Sequence, residues 1–250
     1  MKEVRELTKG EPKPRSRIWE IDFLRGLSII LMVFYHLGYD LNVFCGINRI
    51  LGIGINIFTP GFNIAQFFFA GVFIVLCGTS STLSRSNVRR ALKILAVAVV
   101  ISVVTYIYSP SEAIFFGILH CLGVCILVYG LTLERAGALT CGAVGLVILG
   151  GSVALSVAMR NITVSFNWLL PLGIHRVPYA ALDYFPLLPW AGIYMAGVVL
   201  GKTVYAARKS LLPWRWPETF INVAGRHALL IYVIHQPILL AALYLLGLMR

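Results

Sequence analysis

Four ionisable side chains lie within a single apolar stretch of the sequence, residues 21–44. They are Asp22, Arg25, His36 and Asp40. The stretch is long enough for a helix that crosses a bilayer, and ionisable groups inside such a helix are costly unless they face a protein interior or serve a site. Arg25 and His36 are eleven residues apart. That is about three helical turns, so the two side chains lie on one face, roughly 16 Å apart along the axis.

The residue types on this face suggest both proton transfer and anion binding. His36 can take or give a proton near neutral pH. Asp40, one turn further, can hold its tautomer as a carboxylate does for a catalytic histidine. On spacing alone, a histidine that hydrogen-bonds a neighbouring helix is an equally good interpretation. Arg25, within reach of Asp22, is either an arginine that extends to the membrane interface or a cationic anchor for a phosphate-bearing ligand. Three arginines of a nearby loop would help such an anchor, although they also fit the topology signal: Arg85, Arg89 and Arg90.

The composition places these residues in a membrane protein. Of the 250 residues, 59% are hydrophobic and 12% are charged, which indicates a polytopic helix bundle rather than a soluble domain. The net charge of +11 would suit nucleic acid. However, the basic residues lie in short loops beside apolar spans, as the positive-inside rule describes. The cysteines form no CxxC pair, so we expect no disulfide framework and no metal site.

The apolar runs predict an all-α bundle of about seven transmembrane helices. The predicted spans are about 21–43, 58–78, 91–108, 113–133, 137–158, 186–206 and 225–248. Arginine and lysine concentrate in loops 79–90 and 207–224, which predicts a cytoplasmic N-terminus. Residues 1–17 are interpreted as a flexible basic cytoplasmic tail, and residues 18–250 as the membrane domain.

Further polar side chains in or near the spans are candidates for the lining of a cavity. His120 lies near the outer end of the fourth span, where it could share a cavity with His36. His235 lies in the last span beside Pro237, which leaves a backbone carbonyl without its helical partner. The candidates for contact with a polar substrate are Asp183, Trp190, His235 and Gln66. Each could instead cap a helix or satisfy a neighbouring group.

Five stretches spread over most of the chain from residue 17 form a pattern. They are IDFLRG with MVFYH, FFAGVFIVLCGTSSTLSR, FGILHCLGV, DYFPLLPWAGIYMAGVVLGK and GRHALLIYVIHQP. Together they resemble the small bacterial members of the heparan-alpha-glucosaminide N-acetyltransferase catalytic-domain family. That family belongs to a wider group of membrane acyltransferases that includes the acyltransferase type 3 proteins. The spacing of Arg25 and His36 is similar to the arginine–histidine motif of the type 3 proteins, in which both residues are functional.

The resemblance implies an acetyl-CoA-dependent membrane acyltransferase. Such an enzyme would move an acetyl (acyl) group from cytoplasmic acyl-CoA to a saccharide of the cell envelope on the far side of the membrane. Its partners would be acyl-CoA, a sugar or glycan acceptor and membrane lipid, with no nucleic acid and no metal, and with a homodimer as one possible assembly. The resemblance also implies a multi-pass protein of a bacterial or archaeal plasma membrane.

The resemblance implies roles for individual residues as well. His36 would deprotonate the acceptor or carry the acetyl group covalently. The implied catalytic set is His36, Asp40 and His120, and the implied donor-binding set is Arg25, Asp22, Arg85 and Arg89. One departure concerns the lysosomal enzyme, whose assigned histidine falls between the first two spans of the shared region. This chain has no histidine in that loop, so His36 is taken from the type 3 pattern.

Two other functions remain open at this point. One is a proton-coupled carrier or channel for a small anionic solute, in which Arg25, His36 and Asp40 would move protons or the solute. The other is a catalytically inactive homologue with a structural role. The chain has fewer predicted spans than its relatives. Three explanations are open: a trimmed enzyme, a site built by a dimer, or lost activity. Binding of CoA, and loss of turnover in His36→Ala, would distinguish an enzyme from both alternatives.

Overall fold

The computed structural model describes residues 18–50, 53–54, 59–213 and 218–249. Within these ranges the regular elements are helices apart from one short antiparallel pair, β1 (Arg49–Ile50) and β2 (Ile53–Gly54). The helices are α1 (Trp19–Val43), α2 (Pro60–Leu83), α3 (Asn87–Tyr108), α4 (Ile118–Val128), α5 (Ala138–Ala158), α6 (Leu187–Thr203), α7 (Phe220–Arg226) and α8 (Ala228–Leu245). The predicted tail, residues 1–17, lies outside the described residues.

Short helical turns complete this order of elements. Turns of 3-10 helix at Pro110–Glu112 and Leu170–Leu172 lie before α4 and after α5, and a π-helical turn at Tyr129–Leu133 continues α4. Helices α7 and α8 are separated at His227, whose φ of −103° and ψ of 18° are not helical. Pro60 occupies the first turn of α2, where the N–H that proline lacks has no helical partner in any case.

Five of the described helices are long and apolar enough to span a membrane, by length and composition: α1, α2, α3, α5 and α8. Ile118–Leu133, which is α4 with its π turn, is a shorter apolar helix, and α6 has 17 residues. A described helix overlaps each of the seven predicted spans. The predicted helical class is therefore confirmed, whereas the count of seven crossings and the cytoplasmic N-terminus stay predictions.

Apolar side chains cover the outer faces of the bundle as well as its core. On α3 and α5, Val103, Ile107, Leu139 and Val147 are each more than half exposed. Continuous apolar faces of this kind are rare on soluble monomers and suit contact with lipid tails. The inner core lies where α2, α4 and α6 meet, and its centre is fully buried. The described helices are thus consistent with a multi-pass membrane protein.

Helices α1 and α7 approach each other backbone to backbone. A Cβ atom on Gly26 of α1 would collide with the carbonyl oxygen of Ile221, and one on Gly225 of α7 would collide with that of Asp22. Small residues at a helix interface permit such close approach in membrane bundles. The contact places Arg226, the last residue of α7, beside the first turns of α1, where it can contribute to a shared site.

We predict that Gly26→Ala destabilises the protein by about 1–3 kcal/mol or more, since the added methyl group meets backbone that cannot move aside. The midpoint of thermal unfolding in detergent measures the loss. Gly150→Ala is the matched control, because nothing lies within 4 Å of a Cβ at that helical position. There the removal of a helical glycine is expected to be neutral or to stabilise by about 0.5–1 kcal/mol. Equal midpoints for the two variants would contradict the close approach.

Candidate active site

Two of the cavities in the described part of the bundle differ in charge. The smaller, of about 490 Å³, is bordered by α1, α2, α3, α4, α7 and α8. Five cationic side chains line it, and we call it the basic cavity: Arg25, Arg89, Arg90, Lys93 and Arg226. The larger, of about 1250 Å³, is lined by two histidines, His36 and His235, and we call it the histidine cavity.

Hydrogen bonds hold the inner cations of the basic cavity in place. The Arg25 guanidinium lies 3.3 Å from Asp22 Oδ1 and donates to Ser80 Oγ at 2.5 Å. Arg90 donates to Ser81 Oγ at 3.3 Å and to Cys77 Sγ at 3.1 Å. Both side chains are therefore fixed by α2 before any ligand binds.

Charge in the basic cavity is not balanced by the ion pairs that its cations form. Arg226 pairs with Glu218, and Arg25 with Asp22. Among the residues that line the cavity, none is a carboxylate. A cluster of cations with few acidic partners binds anions, and arginines match the planar geometry of phosphate and carboxylate oxygens. The basic cavity is thus a candidate site for a phosphate-bearing ligand.

Only some of the predicted donor-binding residues lie at the basic cavity. Arg25 and Arg89 line the basic cavity, and Asp22 contacts Arg25. Arg85 is exposed and is not among the residues that line it. Arg90, which the sequence grouped with Arg85 and Arg89, also lines the cavity, and sequence reasoning missed two lining cations as ligand contacts: Lys93 and Arg226. Lys93 follows Arg89 by four residues on a helix, so this pair could have been found from spacing.

The two histidines of the larger cavity are oriented by backbone carbonyls. His36 Nδ1 lies 2.9 Å from the carbonyl oxygen of Met32, and His235 Nδ1 lies 2.7 Å from that of Tyr232. A carbonyl oxygen can only accept, so Nδ1 carries the proton in each ring. In the neutral ring Nε2 then holds a lone pair. His235 Nε2 is buried without a hydrogen-bond partner among the described residues.

The same two rings contact each other across the α1–α8 interface. Their centroids are 4.9 Å apart in an edge-to-face arrangement. His36 was predicted as a catalytic residue and His235 as a substrate-binding residue, and the structure brings them to one lining. Two imidazoles with unprotonated Nε2 atoms beside one cavity can accept a proton from a bound hydroxyl or amine.

The predicted hydrogen bond from His36 to Asp40 is not formed. The Asp40 side chain is wholly buried, and its carboxylate accepts hydrogen bonds of 2.9 and 3.0 Å from Gln236 Nε2 on α8. The imidazole N–H of His36 has two acceptors within one helical turn. Its Nδ1 donates to the carbonyl oxygen of Met32 and not to the carboxylate of Asp40. Asp40 therefore joins α1 to α8 and does not set the tautomer of His36.

His120 lies in the first turn of α4. Its Nδ1 accepts a hydrogen bond from the Gly117 N–H at 3.2 Å, so its Nε2 carries the proton and faces Ser102 Oγ at 3.2 Å. This arrangement caps the first turn of α4, where N–H groups have no helical acceptor. His120 is not one of the described residues that line the cavity of His36, so the expected sharing of one cavity is not found.

Three of the four predicted substrate-binding residues line the histidine cavity: Asp183, His235 and Gln66. Gln66 Oε1 accepts a hydrogen bond from Tyr35 OH at 2.9 Å. Trp190 lies behind the lining, where it is 8% exposed and its ring is stacked against that of Phe67. Trp190 therefore supports the wall of the cavity rather than reaching the space inside it.

Asp183 precedes α6 and ties three parts of the chain together. Its Oδ2 accepts hydrogen bonds from the Ile118 N–H and from Tyr232 OH, each of 2.9 Å. Burial raises the pKa of the Asp183 carboxyl, while the two donated hydrogen bonds lower it. Asp183 thus connects α4 to α8, and its contact with a substrate stays a prediction.

The comparisons with known proteins identify a family. The family model of the heparan-alpha-glucosaminide N-acetyltransferase catalytic domain matches residues 17–237. The match includes both histidines and all five cations described above. No curated protein and no solved structure matches the chain. Within the described ranges, no group of three or more His, Cys, Asp or Glu residues is placed to hold a metal ion. The chain belongs to the heparan-alpha-glucosaminide N-acetyltransferase catalytic-domain family.

Proposed function

We propose that this protein is a membrane acetyltransferase that moves an acetyl group from acetyl-CoA to a saccharide. The observation that carries the proposal is the juxtaposition of the two cavities, which share two lining residues, Phe73 and Tyr232. Coenzyme A carries phosphates at one end and its thioester at the other. The cavity with five cations suits the phosphates, and the adjoining cavity with two histidines suits the thioester. Family membership supports transferase chemistry independently of this geometry.

In this proposal the basic cavity holds the phosphates of the donor. The guanidinium groups of Arg25 and Arg90 are already held by α2, so they lose little freedom when a phosphate binds. Arg89 and Lys93 are more exposed and complete the ring of positive charge. The donor enters from the cytoplasm, and the acceptor is reached from the far side of a bacterial or archaeal plasma membrane.

His36 is the proposed general base. Its Nε2 accepts the proton of the acceptor hydroxyl or amine while the acceptor atom bonds to the thioester carbonyl carbon. The carbon–sulfur bond then breaks, and the sulfur leaves as a thiolate that takes the proton from the imidazolium. The products are the acetylated saccharide and CoA thiol, and His36 is again neutral. In the two-step alternative, the same Nε2 carries the acetyl group before the acceptor attacks.

The other predicted residues receive supporting roles. His235 contacts His36 and completes the lining where the acceptor binds. Asp40 is a positioning residue, since its hydrogen bonds to Gln236 keep α1 and α8 in register at the histidine pair. His120 stabilises the start of α4, so its loss should reduce stability more than turnover.

We predict that His36→Ala lowers the rate of thiol release from acetyl-CoA, with D-glucosamine as acceptor, by about 100-fold to 10,000-fold. The variant should still bind adenosine 3′,5′-bisphosphate, the phosphate-bearing end of CoA, with the affinity of the wild type. His227→Ala is the matched control, since His227 is exposed between α7 and α8 and lines neither cavity. A His36→Ala variant that retains wild-type turnover would remove the general base from the proposal.

A second prediction compares two neighbouring arginines. Arg89→Ala should weaken the binding of adenosine 3′,5′-bisphosphate by about tenfold or more, because a charge-assisted hydrogen bond contributes about 1.5–3 kcal/mol. Arg85→Ala is the control, because it removes the same charge from an exposed position that does not line the basic cavity. Isothermal titration calorimetry in detergent gives both affinities. Equal weakening would mean that net charge, and not the cavity, attracts the ligand.

An anion carrier is the second candidate, and the observation in its favour is the same pair of adjoining cavities. A cation-lined entrance followed by two histidines would also suit a solute that moves with a proton. Reconstituted vesicles distinguish the two functions. A carrier would give anion flux that depends on His36 and would leave acetyl-CoA intact, whereas the transferase would consume the thioester.

A further inference from the structure

Two aromatic side chains form the boundary between the basic cavity and the histidine cavity. Phe73 of α2 and Tyr232 of α8 line both cavities, and every other described lining residue belongs to one of them. Both rings are partly buried and pack against the main core cluster. In the proposed function, a donor that spans both cavities would pass these two rings, since no other described residue lines both cavities.

Tyr232 is held in this position by a hydrogen bond to a buried carboxylate. Its hydroxyl donates to Asp183 Oδ2 at 2.9 Å, and the same oxygen accepts the Ile118 N–H. A Cβ atom on Gly117 would collide with the Asp183 carboxylate, so the glycine lets the carboxylate lie against the start of α4. The ring of Tyr232 is thus anchored from outside its own helix.

Phe73 has no polar atom to anchor it, so packing alone sets its position. It is partly buried against the core cluster, and it lies in α2 about two turns before the serines that accept hydrogen bonds from Arg25 and Arg90. A change at this position alters the width of the boundary without breaking a hydrogen bond. Phe73 is therefore the better of the two residues for a test of what the boundary does.

The histidine cavity is too large to limit the length of the acyl group that reaches the histidines, so the boundary between the cavities is the better candidate for that limit. Its volume of about 1250 Å³ exceeds the range of about 300–1,000 Å³ that is usual for small-molecule sites. An acyl chain longer than acetyl would find room there beside a sugar. Selection against such a chain would therefore have to come from the two rings at the boundary.

We infer that Phe73 and Tyr232 form the passage through which the acyl-bearing arm of the donor reaches His36, and that their rings select short acyl groups. This inference rests on the proposed function and adds a specificity determinant to it. The phosphates stay in the basic cavity. A change in the passage therefore alters how the acyl-bearing arm reaches His36, while the affinity for the phosphate-bearing end stays unchanged. Tyr232 acts as a positioning residue whose bond to Asp183 keeps the passage narrow.

The test compares acetyl-CoA with hexanoyl-CoA as donors, with D-glucosamine as acceptor, by the rate of thiol release. Phe73→Ala should raise the ratio of hexanoyl to acetyl turnover at least tenfold. Tyr232→Phe keeps the ring but loses the hydrogen bond, and should raise the ratio at least threefold. Phe68→Ala is the matched control, since Phe68 lies on the same helix, is 62% exposed and lines neither cavity. Its ratio should equal that of the wild type.

Binding of adenosine 3′,5′-bisphosphate separates this inference from the function beneath it. Phe73→Trp should lower turnover of both donors at least tenfold and leave the affinity for adenosine 3′,5′-bisphosphate within twofold of the wild type. If the wild type is active, and Phe73→Ala and Tyr232→Phe keep its ratio of hexanoyl to acetyl turnover, the inferred passage is contradicted and the proposed function stands. If wild type neither binds adenosine 3′,5′-bisphosphate nor releases thiol, the proposed function fails and the passage falls with it.

Discussion

The hydrogen bonds between Asp40 and Gln236 are the interaction on which the rest of the site depends. A carboxylate buried in an apolar bundle is very costly unless it is paired or hydrogen-bonded, so the amide of α8 cannot be removed without a large loss. The pair joins the first long helix to the last, which are far apart in sequence. His36 lies one turn before Asp40, and His235 immediately precedes Gln236, so the same link sets the distance between the two imidazoles.

The parts of the site that follow from helical periodicity could be predicted from the sequence. Arg25 and His36 share a face because eleven residues complete three turns, and the structure places them at different cavities along one helix. The all-helical class followed equally directly from apolar runs of bilayer length. Arg89 was found from its position in a basic loop, and the four-residue spacing to Lys93 would have added its neighbour.

The parts that depend on packing between distant helices could not be predicted in this way. Arg226 reaches the basic cavity because Gly26 and Gly225 let α1 and α7 approach closely, and no local pattern encodes that partnership. Contact between the two imidazoles likewise requires the packing of α8 on α1. Asp40 shows the opposite error, since its helical spacing to His36 permitted a contact that a long-range partner prevented.

The anchoring of both imidazoles by main-chain carbonyls has a consequence for how the protein can evolve. Every residue type carries a carbonyl oxygen, so substitution at position 32 or 232 leaves each ring its acceptor. The side chain at position 232 can therefore vary without loss of the anchor for His235. If this boundary sets donor preference as we infer, mutation there changes that preference while both imidazoles keep their carbonyl anchors.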